Sequence, residues 1–364
     1  MLIRDIISEI EQFAPPAYQE SYDNSGLLVG NKNEKVTGAL LSVDCTEDVI
    51  DEAIKLKCNL IVAHHPIIFG GLKRLTGANY VERTVIKAIQ NNIAIYACHT
   101  NLDNVKHGVN AKIAEKLGLT NLKILSPKKQ LLKKLVTYVP ATHLEKVRES
   151  LFEAGAGNIG NYDKCSFNIS GTGTFRGNEN SNPFIGEKGK ISFENETRVE
   201  VIFEAINESR ILKNLLSKHP YEEVALDVYP LENTYQNVGS GMTGEFEKAL
   251  SETEFLNLLK KAFGLKILKH TPLLNKPIKK VAFCGGSGAF LIKNAINSGS
   301  DAYVSGDIKY HEFFDAESRI LIADTGHFEN EQFTPEIFYE LIQKKFTTFA
   351  TYLSKVNTNP VNYF

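Results

Sequence analysis

The chain contains no tryptophan, no C-x-x-C pair, no excess of either charge and no apolar run long enough to cross a bilayer. Each lack excludes something. With 41 Lys+Arg against 43 Asp+Glu in 364 residues, a formal net charge of −2 leaves no electrostatic footprint for non-specific nucleic-acid binding. Only a local basic patch would restore nucleic acid as a partner. Apolar runs such as Leu60–Ala63 and 281–284 fall far short of the roughly 20 residues a membrane helix needs, so no membrane partner is expected. The N-terminal stretch MLIRDIISEIEQF carries acids throughout and lacks a small-residue cleavage site, unlike a signal peptide. The five cysteines, Cys45, Cys58, Cys98, Cys165 and Cys284, are odd in number and widely spaced. That excludes a zinc ribbon, argues against a disulfide framework and makes each a small buried hydrophobe. A cytoplasmic location is the expectation. In the absence of Trp, 21 Phe and 14 Tyr must supply the aromatic core and interface area.

What is present is an ordinary globular composition over a length suited to two or three domains. Residues 2–13 place apolar side chains at 2, 3, 6, 7, 10 and 13, one face of a helix that Pro15-Pro16 stops. Strand 39–43, helix 47–57 capped by Thr46, strand 59–63, helix 81–91, strand 93–97 and helix Val109–Leu117 closed by Gly118 follow. This alternation predicts βαβ units and a largely parallel sheet. Ser126-Pro127-Lys128-Lys129 reads as a boundary. Beyond it, strand 134–139, helix 144–154, strands 165–169 and 198–205, helix 209–217 and strand 223–229 make the split-βαβ, ferredoxin-like order. Residues 171–189, rich in Gly, Asn and Ser, read as a long loop or extended hairpin, and 233–244, with three glycines, as a second boundary. Helix Glu252–Phe263, strand 281–284, helix 290–298 and strands 302–304 and 320–323 then resume the alternation. The fold class is α/β: a split core, 1–128 plus 236–364, with a mostly parallel sheet flanked by helices, interrupted by a ferredoxin-like α+β insertion at 129–235. Two independent flanking domains are the alternative.

Four segments can carry chemistry. Ala63-His64-His65-Pro66 follows a buried strand; on a regular strand the two rings would point to opposite faces, but at a turning strand end both can reach one crevice. His99-Thr100-Asn101-Leu102-Asp103-Asn104 follows the next strand; His99 is a ligand or a donor behind one, and Asp103 a ligand, although capping the next helix is the commoner role for Asp103 or Asn104. In Asp324-Thr325-Gly326-His327-Phe328-Glu329-Asn330-Glu331, His327 and Glu331 share a helical face, a two-ligand clip, while Glu329 points elsewhere into solvent. Cys284-Gly285-Gly286-Ser287-Gly288-Ala289 offers backbone N–H groups to an anion, though Gly-rich turns are common for packing alone. Downstream, Ser305-Gly306-Asp307-Ile308-Lys309-Tyr310-His311-Glu312 adds a further His and carboxylates. Every cluster follows a predicted strand, so one parallel sheet would gather them on one edge. Three imidazoles and two carboxylates without a thiolate suit Zn, Mn, Fe, Co or Ni. Five ligands exceed the usual need of one catalytic metal, and two metals sharing a carboxylate would leave positions open. His107, His143, His219 and His270 read as surface or cap residues, and the tail 346–364 as packed on a neighbouring element or subunit.

The A-H-H-P, H-T-N-L-D, S-G-D-I-K-Y-H and G-H-F-E-N-E motifs together resemble the GTP cyclohydrolase 1 type 2 family, the Nif-three-like dinuclear metal-centre proteins. The resemblance covers roughly 1–125 and 240–364. It implies two divalent metal ions per chain, zinc first, held by His64, His65, Asp103, His327 and Glu331, with Glu331 as bridge. It also implies a toroidal homohexamer with the sites facing an internal cavity, and a PII/CutA-like insertion, a reading shared by Pro220-Tyr221-Glu222-Glu223. The expected activity is hydrolysis of a nucleotide-like small molecule by metal-activated water, for GTP at purine C8 with release of formate. His99 or His311 would transfer protons, and the Gly285–Gly288 loop with Lys309 would hold phosphates. The alternative is a non-catalytic metal-binding scaffold or regulator whose inserted domain senses a ligand or binds a partner.

Overall fold

The apolar stripe of the N-terminal segment becomes one face of helix Ile3–Phe13, with Ile3, Ile6, Ile7 and Ile10 buried. The structure, a computed structural model, describes residues 1–364. The chain divides into two compact units, Met1–Pro127 with Gln236–Phe364, and Lys128–Tyr235. No helix is long and apolar enough to cross a membrane.

The larger unit is mixed α/β, but its strands form two sheets rather than the single one expected. In the first, the spatial order is Gly26–Val29, Ala94–Ala97, Leu60–Ala63, Ala39–Ser42, Thr351–Leu353. Only the Gly26–Val29 edge is antiparallel; the remaining pairings are parallel. Every residue of the three central strands is buried, which is why they read as unbroken apolar runs. Helices Glu47–Lys55 and Tyr80–Gln90 make the crossovers; Asn79 caps the second, accepting the Glu82 N–H at 2.9 Å.

The second sheet runs Lys269–His270, Leu321–Asp324, Ala302–Gly306, Ile278–Ser287, Tyr235–Leu250, Thr120–Lys128. Its three parallel strands are neighbours, and Tyr235–Leu250 joins them antiparallel. The division between the two units falls inside both segments read as boundaries, and both are largely strand: Ser126-Pro127-Lys128 ends one and Tyr235 begins the other. The glycines mark close approach instead of a loop. A Cβ on Gly239 would lie 2.2 Å from the Ser126 carbonyl, and one on Gly244 would lie 2.9 Å from Leu119 Cβ.

In the smaller unit the elements run strand, helix, strand, strand, helix, strand, and the sheet order is Phe167–Phe175, Ser192–Glu204, Leu132–Pro140, Leu226–Leu231, antiparallel throughout. Leu135, Val139, Val199, Val201 and Phe203 on one face pack against Val147, Leu151, Ile211 and Leu215 of helices Leu144–Glu153 and Glu208–Lys218. The Gly/Asn/Ser-rich segment is an extended hairpin, its pairing continuing to Phe175 opposite Ser192.

Two buried asparagines link the ends of the elements in the larger unit. Asn110, 1% exposed, donates from Nδ2 to the Asp103 carbonyl at 3.1 Å and accepts the Gly285 N–H on Oδ1 at 3.0 Å. Asn330 accepts the Gly286 N–H at 2.8 Å. Removing such a partner strands a buried donor or acceptor, at roughly 1–3 kcal/mol each. Asn110→Ala is therefore expected to lower unfolding free energy by about 2 kcal/mol in urea denaturation; an unchanged midpoint and slope would deny Asn110 its bridging role.

Candidate metal centre

At the end of strand Leu60–Ala63 the chain turns at once. The His64 N–H reaches the carbonyls of Ser42 at 3.2 Å and Val43 at 3.0 Å, and the His65 N–H shares the Val43 carbonyl at 2.9 Å. The turn defeats the alternation of a regular strand, so both rings enter one crevice with centroids 4.9 Å apart. From the adjacent strand end, His99 precedes the short helix Thr100–Asn104, which carries Asp103. The second sheet contributes through Leu321–Asp324 and helix His327–Glu331, where His327 and Glu331 lie one turn apart as the spacing predicts. Strand ends of two sheets thus build one cluster.

Each imidazole is anchored through Nδ1. His64 donates to the Cys98 carbonyl at 2.9 Å; His65 meets Asp44 at 2.7 Å, His99 meets Asp23 at 2.8 Å and His327 meets Asp307 at 2.6 Å. This is the usual support of a metal-binding histidine, which fixes ring orientation and raises Nε2 basicity. The Nε2 atoms of His65 and His327 lie 3.3 Å apart, and each lies 3.0 Å from Glu331 Oε2. His64 Nε2 sits 3.6 Å from Glu331 Oε1 and 3.6 Å from Asp103 Oδ1.

Both His64 Nε2 and Asp103 Oδ1 are buried without any hydrogen-bond partner. Such orphaned atoms are costly in a native interior and call for a missing group. Ligand atoms each about 2 Å from a tetrahedral cation stand about 3.3 Å from one another, close to the spacings found. Three sets fit: His64, Asp103 and Glu331; His65, His327 and Glu331; and His64, His65 and His99, each with ligand atoms within 4.8 Å of one another. Glu331 belongs to two of them, Oε1 toward one and Oε2 toward the other.

The electrostatics agree with an electron-rich nest. Burial, reinforced by the charge of Glu331, pushes the Asp103 carboxyl well above its usual range. Burial opposes ionisation of Glu331 too, but His64, His327 and His65 outweigh it and hold that carboxyl well below its usual range. For His65 burial is overcome by hydrogen bonds to Asp44 and Glu331, raising the imidazole to about 10; for His327 burial is overcome by Glu331 and Asp307, raising it to about 9. His64, wholly buried, is shifted downward by desolvation, toward the neutral form that ligates a metal.

Other expectations meet different fates. Asp103 caps nothing: it lies inside Thr100–Asn104, and the next helix begins from Gly108. His311 is exposed, against Tyr310 and Phe314, and lies outside the cluster. Residues 284–287 are strand, and the Gly285 and Gly286 N–H groups are already taken by Asn110 and Asn330, which removes them as an anion cradle. Lys309 begins the Tyr310–Ala316 turn, exposed, its N–H donated to Glu312 at 2.7 Å. Glu329 accepts from Asn359 at 3.0 Å and joins no ligand set. Sequence reading missed Asp23 and Asp44. Asp44 stands just past strand Ala39–Ser42 and shared the strand-end signal; Asp23, in an irregular stretch, offered none.

Beside the cluster opens a cavity of about 620 Å³ whose walls include Asp44, His65, Lys269, His327, Phe328 and Tyr363. The tail packs on its own chain: Thr351–Leu353 extends the first sheet, and Thr358 donates to the free oxygen of Asp44 at 2.6 Å.

Gly286 marks how tightly the cluster is packed. It has φ +62°, and an added Cβ would stand 2.4 Å from Glu331 Oε1 and 3.4 Å from His327 Nε2. Gly286→Ala is expected to cut metal content severalfold after reconstitution and desalting, read by plasma mass spectrometry; full occupancy would show that Glu331 is free to move.

The chain and its fold have counterparts among known proteins. The family model for Duf34/NIF3 (NGG1p interacting factor 3) matches residues 1–360. A GTP cyclohydrolase 1 type 2 homolog of Halalkalibacterium halodurans is 39% identical over 363 residues, 98% of each chain. One from Bacillus subtilis is 36% identical over 370 aligned positions, covering 99% of this chain and 98% of that one. Among solved structures, a Bacillus cereus protein related to NIF3 superposes with TM-score 0.87 at 37% identity over 100% of this chain and 99% of its own. A Staphylococcus aureus protein gives TM-score 0.81 at 29% identity with the same coverage. The chain therefore belongs to the Duf34/NIF3 family.

Proposed function

We propose that the protein is a dinuclear metal-dependent hydrolase acting on a nucleotide-sized substrate. The observation that carries this reading is the pair of buried, unpartnered atoms, His64 Nε2 and Asp103 Oδ1, facing Glu331 Oε1 while Glu331 Oε2 faces His65 and His327. His64 and Asp103 would hold one divalent ion and His65 and His327 the other, with Glu331 offering one oxygen to each set. When bound, such a pair polarises substrate and supplies an activated water at neutral pH. Zinc is the first choice, with Mn, Fe, Co and Ni compatible with the same donors.

The chain's own groups supply the rest. Asp44, Asp307 and the Cys98 carbonyl keep the ligating rings in register. His99 stands at the rim, its ring 5.3 Å from that of His64 and 5.4 Å from that of His65, with Asp23 fixing its tautomer. It is placed to pass a proton to or from substrate, a role for which His311 has no geometric support. The neighbouring cavity is of a size that accepts a nucleotide, and Phe328 and Tyr363 in its wall offer apolar surface to a base. The names carried by the relatives favour GTP as the first substrate to test. We further propose a homohexamer; the exposed pair Tyr310 and Phe314, 74% and 67% exposed with ring centroids 5.6 Å apart, is suited to a subunit interface.

Metal analysis followed by formate release from GTP on the same sample tests the reading. About two metals per chain and metal-dependent formate are expected; two metals with no formate would overturn GTP cyclohydrolysis. Because Glu331 serves both ions, Glu331→Gln is expected to lose both, whereas Asp103→Asn weakens chiefly the one shared with His64. Equal loss from the two variants would remove the bridging assignment. Light scattering should give six times the 40.5 kDa chain mass, and Tyr310→Lys smaller species; a monomer in the unaltered protein would sink the hexamer.

A further inference from the structure

A second cavity, of about 430 Å³, lies wholly within the 128–235 unit and far along the chain from every metal-site residue. Its centre is Tyr221. The rings of Phe175 and Phe184 each stand 6.3 Å from the Tyr221 ring, tilted by 53° and 52°, so the three form a trough and do not stack. Rings packed as core would close that space; here Phe184 is 53% exposed and Phe175 and Tyr221 are only partly covered. The trough is held from behind by His219. This residue, read from sequence as a surface or cap position, does follow helix Glu208–Lys218 but is buried to 7% exposure. Its Nδ1 accepts the Tyr221 N–H at 3.1 Å and its Nε2 donates to the Tyr138 carbonyl at 3.0 Å. That pattern defines a neutral tautomer, consistent with the downward shift that burial imposes.

The polar part of the wall is mostly acidic. Glu196, Glu222 and Glu223 line the cavity against a single guanidinium, that of Arg176. Glu222 accepts the Asn182 N–H at 2.6 Å, whereas neither Glu196 nor Glu223 is ion-paired. The nearest arginine along the Glu196 strand, Arg198, is spent on Glu200 at 2.9 Å. Room for the Glu196 carboxylate is made by a glycine: a Cβ on Gly173 would fall 2.0 Å from Glu196 Oε2. The Tyr221 hydroxyl is buried and lacks a hydrogen bond of good geometry. Burial, the hydrogen-bonding approach of Glu196 and the Glu196 charge push its phenol upward. Three aromatic rings, whose faces carry a negative quadrupole, and a carboxylate without an ion pair line one space.

An anion would be repelled from that space, and a neutral ligand would leave Glu196 without a counter-charge. We propose that the inserted unit binds an organic cation, a quaternary ammonium or a protonated amine with an apolar body, between the Phe175, Phe184 and Tyr221 rings and the Glu196 carboxylate. The site is separate from the proposed hydrolytic centre, so its failure would leave that reading untouched.

The test is calorimetric titration of the full-length, metal-loaded protein with choline and with its uncharged carbon isostere, neohexyl alcohol. Choline is expected to bind at least about tenfold more tightly than the isostere. Phe184→Leu keeps an apolar side chain at an exposed position but removes the ring, and is expected to weaken choline about fivefold. Glu196→Gln should weaken choline and leave the isostere unchanged. Unaltered circular dichroism and thermal melting in both variants show that they are folded. Equal affinity for choline and its isostere, no binding of either choline or tetramethylammonium, or indifference to both substitutions would overturn the proposal.

Discussion

A single carboxylate, that of Glu331, is 2% exposed and is addressed through both oxygens by three imidazoles from two sheets. Leaving a carboxylate unpaired in such a place costs several kcal/mol, so everything around it must be positioned to keep it charged. His65 and His327 do this in the protein as described here by holding protons, with pKa values near 10 and 9. Two protons stand where divalent charge is proposed to stand. Metal entering that space would displace those protons, so uptake is expected to release protons and to weaken as pH falls.

The ring of supports is as informative as the cluster. Three carboxylates, Asp23, Asp44 and Asp307, each hold one imidazole through Nδ1, and the Cys98 carbonyl holds the fourth. Two asparagines then tie the backbone of the glycine pair to the same elements, Asn110 through the Asp103 carbonyl and Asn330 from inside helix His327–Glu331. The glycine-rich stretch that sequence alone offers as an anion loop is in fact a strand cleared of side chains so that Glu331 can approach it. Packing and chemistry are here the same requirement.

What the sequence disclosed was local. The vicinal histidines, the His99–Asp103 stretch and the His327–Glu331 spacing were visible because each follows an apolar run that can only be a buried strand. Fold class was legible from the same alternation. Sheet membership was not: nothing in the apolar run 281–284 reveals that it pairs with Tyr235–Leu250 and with neither Leu60–Ala63 nor Ala39–Ser42, because strand partners are chosen by long-range packing. Glycines at 239, 241 and 244 suggested a linker for the same reason, since a turn and a close strand approach ask for the same missing side chain. His219 looked peripheral because its burial depends on two partners, Tyr138 and Tyr221, of which one is 81 residues distant.

The C-terminal segment extends this logic past the ligands. Thr358 reaches Asp44 from 314 residues away and occupies the oxygen that His65 leaves free. Asn359 donates to Glu329, two residues beyond His327, and Tyr363 contributes to the wall of the adjoining cavity. The tail is therefore coupled to the orientation of His65 through one shared carboxylate. A side chain held at its backbone by a rigid strand end, and at Nδ1 by a tail-supported aspartate, has its ring plane fixed from two independent parts of the chain. With an anchor of its own at Nδ1, each of the four histidines turns toward a common space while their backbones diverge into separate elements.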